Sequence, residues 1–111
     1  MIVVSDDPPI FQGQDGEEIT VMVHSSGTVH LVTYTLDSGP AGHLPEGTPL
    51  RFDLNKTKHN PSVLKLVFVY TNPNGGSYTV DISGDQGGSW SKTYSQNGIP
   101  VDSKRFTFQV R

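Results

Sequence analysis

With 111 residues, 33% of them apolar, no cysteine and a formal charge of −3, the chain has the length of one ordinary domain and needs no covalent staple to fold. It is too short for a doubly wound sheet or a (β/α)8 barrel, and the lack of Cys excludes thiol catalysis, disulfides and Cys-ligated zinc. The eight Lys and Arg scatter from Arg51 to Arg111 without a basic stripe, so no nucleic-acid partner is expected.

Alternation with a period of two runs through the chain. No helix is predicted beyond one short turn within 55–64, where Pro61 intervenes. Strands are read at Ile2–Val4 and Ile10–Phe11. Glu17–His24 and Thr28–Asp37 then read as a hairpin across Ser25-Ser26-Gly27, setting Ile19 opposite Tyr34, Val21 opposite Val32 and Val23 opposite His30. A three-residue loop would instead pair Val21 with Leu31 and Val23 with Val29.

Residues 37–49, dense in Gly and Pro, read as one long loop, followed by a strand at Leu50–Leu54 with Leu50, Phe52 and Leu54 on one face. Ser62–Thr71 is the most apolar segment. Leu64, Leu66, Phe68 and Tyr70 alternate there with Val63, Lys65, Val67 and Val69, which places the strand centrally in a sheet or against a partner surface. A hairpin through Asn74-Gly75-Gly76 would set Phe68 opposite Ile82 and Tyr70 opposite Val80 in Ser77–Ser83. Gly84–Gly88 reads as a hairpin turn needing positive φ, leading to Ser89–Tyr94. Beyond Asn97-Gly98, Lys104–Val110 carries Phe106, Phe108 and Val110 on one face.

Seven or eight short strands with frequent turn signals predict an all-β, antiparallel two-sheet β-sandwich over residues 1–111, with a small closed barrel as the competing architecture. The alternation and length resemble immunoglobulin-like and fibronectin type III-like sandwiches at the level of architecture. The Cys-Trp-Cys pattern is absent, and the single Trp90 falls late in the chain.

No motif carries a cofactor or a metal. His24 and His30 fall on opposite faces of the expected hairpin, and His43 and His59 sit in loops that one end of a sandwich could gather. No G-x-S-x-G elbow is present, and Gly84-Asp85-Gln86-Gly87-Gly88 lacks both the Lys and the following helix of a phosphate loop. Asn72, Asn74, Asp81 and Asp85 lie near two turns without the spacing of a calcium loop. The sequon Asn55-Lys56-Thr57 matters only in a secreted eukaryotic protein.

Two surfaces remain for binding. Trp90 and Tyr94 project from one face of their strand with Lys92 between them, which outward would make a stacking platform for a glycan and inward would be core. Val63, Val67 and Val69 form a second apolar face that could seat another subunit. The expectation is a non-catalytic module for protein interaction or structural support, part of a larger surface or secreted protein and partnered by another protein or a neighbouring domain. The alternatives are a carbohydrate-binding module using the aromatic platform and a small hydrolase built from His43 or His59 with nearby Asp or Ser. The start Met1-Ile2-Val3-Val4 has no signal-peptide pattern, and no apolar run is long enough to insert in a membrane.

Overall fold

The structure, a computed structural model, describes residues 1–5, 8–25, 29–70, 76–95 and 101–111. Among them there is no helix and there are ten strands: β1 Val3–Ser5, β2 Ile10–Gly13, β3 Glu18–Ser25, β4 Val29–Leu36, β5 Gly42–His43, β6 Leu50–Asp53, β7 Ser62–Tyr70, β8 Ser77–Gly84, β9 Ser89–Ser95 and β10 Val101–Val110. They form two packed sheets, a six-stranded one ordered β1-β2-β10-β7-β4-β5 and a four-stranded one ordered β6-β3-β8-β9.

Alternation fixes which side chains point inward. Ile19, Val21 and Val23 of β3 and Val80 and Ile82 of β8 meet Leu64, Leu66 and Phe68 of β7 and Phe106 and Phe108 of β10, all buried. Rings fill the space between the sheets: Phe11 stacks on Phe108 at 4.9 Å, and Phe68 stacks on Tyr78 at 3.7 Å between centroids. β7 lies between β10 and β4, the central position its two apolar faces predict.

Several expected pairings are not formed. β3 pairs with β6 and β8, whereas β4 pairs with β5 and β7, so the strands read as a first hairpin lie in opposite sheets. β7 and β8 are likewise separated: Val80 faces Val23, and Phe68 faces Val32 and Asp102. The turn residues Ser26, Gly27, Asn74, Gly75, Asn97 and Gly98 lie outside the described residues.

The chain changes sheet at six connections, namely β2–β3, β3–β4, β5–β6, β6–β7, β7–β8 and β9–β10. A sandwich gains from this because both sheets then bury one face against the other, which an all-hairpin meander in one sheet does not provide. The sheets are also not purely antiparallel, since β2 runs parallel to β10 with Phe11 beside Phe108. The Gly- and Pro-rich segment 37–49, read as one long loop, contains the two-residue strand β5, and the described residues carry ten strands where seven or eight are expected.

The β8–β9 hairpin is formed as read, with Gly87 and Gly88 at φ 107 and 87. Gly84 in the same run has a different job. A Cβ there would stand 2.3 Å from Glu17 Oε2, and one at Gly13 would stand 2.8 Å from Glu17 Oε1, so two glycines make room for a fully buried carboxyl. Glu17 Oε1 accepts the Gln14 N–H at 3.0 Å and lies 3.2 Å from the Met1 amino group.

Candidate functional site

Cross-strand partners share a face, so the registers of β4, β7 and β10 define the outward side of the six-stranded sheet row by row. Leu31, Val69 and Val101 form one row, Thr33, Val67 and Ser103 the next, and Thr35, Lys65 and Arg105 the third; Val63 beside Thr107 forms a fourth. Val63, Val67 and Val69 are half-buried, and Val101 is 49% exposed. The outward side of the four-stranded sheet is more polar, with Glu18, Thr20, His24, Arg51, Asp53, Thr79, Asp81, Ser83, Ser91 and Thr93 around a single apolar side chain, Met22. There Thr79 and Thr93 share a hydrogen bond of 2.8 Å, and His24 Nε2 lies 3.3 Å from Asp81 Oδ2.

Beside the third row, Thr35, Asp37, Ser38, His59, Val63, Lys65 and Arg105 line a depression of about 440 Å³. Its rim is a tight turn closed by the Gly39 N–H donating to Leu36 O at 2.9 Å, with Asp37 and Ser38 at φ 52 and 63. Left-handed backbone costs a non-glycine residue about 1–2 kcal/mol. Asp37 offsets it by donating its N–H to Val63 O at 3.0 Å and accepting the Val63 N–H on Oδ1 at 2.8 Å.

This depression does gather a Ser, a His and an Asp. No hydrogen bond joins Ser38, His59 and Asp37 among the described residues, and Asp37 Oδ1 is committed to the backbone, so the relay a triad needs is not assembled. His43, expected in a loop, lies in β5 opposite Thr33 and lines a different depression with Leu31, Leu44 and Glu46, so it does not share a site with His59.

Trp90 and Tyr94 point inward and are half-buried. Trp90 meets Phe11 and Phe106 edge-on at 5.4 and 5.9 Å, and Tyr94 stacks on Tyr78 at 5.2 Å. Lys92 is exposed at the sheet edge, its ammonium 5.2 Å from the Tyr94 ring centre, with Lys104 Nζ at 4.8 Å from the same ring. Lys92 and Tyr94, without Trp90, line a second depression of about 440 Å³ with Pro8, Pro9, Ser103, Lys104 and Arg105.

Behind Tyr94, the fully buried Tyr78 donates its hydroxyl to Asp102 Oδ2 at 2.8 Å, and Lys104 Nζ stands 3.8 Å from the same oxygen. Burial pushes the Tyr78 phenol well above its ordinary value, and the bond to the Asp102 carboxylate adds to the effect. Burial raises Tyr70 as well.

Among the described residues no three His, Asp or Glu side chains converge as a metal site. His30, Asn72 and Asn74 have side chains outside the described set. The sequon Asn55 folds its Oδ1 over its own surface turn, accepting from the N–H groups of Thr57 and Lys58 and from the Thr57 hydroxyl. No helix is long and apolar enough to cross a membrane.

Lys92 is singled out by the sequence, but the cations Lys65, Lys104 and Arg105 that accompany it are not. Lys65, Lys92, Lys104 and Arg105, four of the eight Lys and Arg, line the two depressions, which share Arg105. They look scattered in the sequence because β7, β9 and β10 are brought together only by the fold. No family model matches the chain, and comparison with curated proteins and with solved structures finds no match.

Proposed function

We propose that the chain is a non-catalytic β-sandwich module, immunoglobulin-like in build, that docks a protein partner or a neighbouring domain on the outward face of its six-stranded sheet within a larger surface or secreted protein. The contrast between the two outward faces carries this reading: among the described residues one has Met22 as its single apolar side chain, whereas the other presents Leu31, Val63, Val67, Val69 and Val101 among its hydroxyls and cations. From Val63 to Val69 and across three strands the valine-bearing area measures roughly 20 by 10 Å, the size of an interface centre, with Lys65 and Arg105 inside it. The repeated sheet-switching of consecutive strands supports the immunoglobulin-like comparison.

A photoreactive side chain at Val67 and, separately, at Ser91 tests the docking reading in the cells that make the protein. Adducts to a partner from position 67 and not from 91 are expected; equal adducts from both positions, or none from 67, contradict it.

A carbohydrate-binding module is a second reading, favoured by the Tyr94 ring lining a depression with Lys92 and Ser103. A panel of oligosaccharides that moves neither the Trp90 emission nor the NMR signals of Lys92 and Tyr94 removes it.

A further inference from the structure

The outward face of the six-stranded sheet carries charge between its Val63 and Val67 rows. Lys65 on β7 and Arg105 on β10 are direct cross-strand partners, both exposed, and neither has an ion pair among the described residues. Side chains opposed in this way have Cβ atoms about 4.5–5.5 Å apart, and like charges there destabilise the sheet. The row Thr33, Val67 and Ser103 flanks them on one side, and the pair Val63 and Thr107 on the other.

In the depression beside them, Asp37 supplies the one carboxylate, and its Oδ1 is turned to the Val63 N–H. Lys65, Arg105 and Asp37 together leave one net positive charge, the complement of a single carboxylate. Opposed cations and an uncompensated charge therefore coincide in a surround of two valines and four hydroxyls.

We propose that the Lys65–Arg105 pair receives the side-chain carboxylate of an acidic residue on the docking partner, an inference that rests on the docking reading above. Arg105 offers paired N–H donors, Lys65 a point charge, and Thr35, the other cross-strand neighbour of Lys65, a hydroxyl donor. A second copy of this chain is the wrong occupant. An isologous dimer with its two-fold axis through this face would bring both Lys65–Arg105 pairs together away from water, with only the two Asp37 carboxylates, each already bonded to a Val63 N–H, against four cations.

The test uses a blocked (Gly-Glu)5 peptide as probe and (Gly-Gln)5 as its uncharged counterpart, followed by NMR on the full chain. The Glu peptide is expected to shift the signals of Lys65, Arg105 and Thr35, with binding weakened severalfold between 50 and 300 mM salt, as a screened charge contact requires. The Gln peptide is expected to leave those signals in place. In the Lys65→Met/Arg105→Met double variant, binding falls at least tenfold while the melting temperature holds or rises, because the opposed charges are gone.

Equal shifts from both peptides, or unchanged binding in the double variant, would overturn the carboxylate assignment. So would a dimer in sedimentation that persists in the wild type and is broken by Val67→Asp. The crosslinking at position 67 separates the two readings. Partner adducts from 67 with no Glu-dependent shift overturn the carboxylate site and leave the docking face standing. A Glu-dependent shift lost in the double variant, without adducts from 67, keeps the carboxylate site and overturns the docking reading.

Discussion

Tyr78 is the residue whose surroundings most constrain its chemistry. It is fully buried between Phe68 and Tyr94 and bonded to Asp102, so its folded-state pKa lies above the ordinary value near 10. A raised pKa contributes stability that is complete below the unfolded value and is lost as pH climbs beyond it toward the folded one. Thermal melts are therefore expected to be insensitive to this group below about pH 10 and to fall above it. Tyr78→Phe should cost about 1.5 kcal/mol at neutral pH through the lost charged hydrogen bond, yet lose less than the wild type between pH 9 and 11.

Gly84 shows how a single position can be read correctly as part of a turn and still be misjudged. The Gly84–Gly88 run announces the hairpin, but at 84 the constraint is steric, the Glu17 carboxyl filling the place of a side chain. Gly84→Ala should destabilise by about 1–3 kcal/mol in denaturant titration, the range for overpacking a filled interior. Nothing in the local sequence reveals this, because Glu17 reaches Gly84 from 67 positions away.

At the scale of elements, period-two alternation makes the inward set legible. Leu64, Leu66, Phe68, Phe106 and Phe108 are core as their spacing requires, and β8–β9 follows its glycines. Sheet membership is not legible in the same way. Alternation says which side of a strand is apolar but not which of two facing sheets the strand joins, and adjacent strands in a sandwich pair across the core as readily as beside each other.

Cysteine pairs can read this directly, because the chain has no Cys of its own. Thr20→Cys with Ser83→Cys should oxidise to a disulfide in the folded protein, those residues being cross-strand partners, whereas Thr20→Cys with Thr33→Cys should stay reduced. β7 also gives a contrast between its faces: Leu66→Ala should cost about 2–5 kcal/mol as a buried deletion, and Val67→Thr less than about 1 kcal/mol.

At the scale of the whole molecule, the two sheets bury a common core and turn unlike faces to their surroundings. The valines of this surface were legible, since a strand with two apolar sides must bury the second or present it. Of the cations beside them only Lys92 was, and their grouping was not. Lys65, Lys92, Lys104 and Arg105 become neighbours only once β10 is laid between β2 and β7 and the end of β9 comes close to it.

Valine methyl NMR with a soluble gadolinium chelate tests the open apolar face most directly, without any partner in hand. The account predicts strong relaxation of the Val63, Val67, Val69 and Val101 methyls and little at Val21, Val23, Val32 and Val80, which lie in the core. Protection of Val67 and Val69 to the level of Val21 would contradict it, since a one-residue slip of β7 or a cover over that face would remove the surface on which the proposed docking depends.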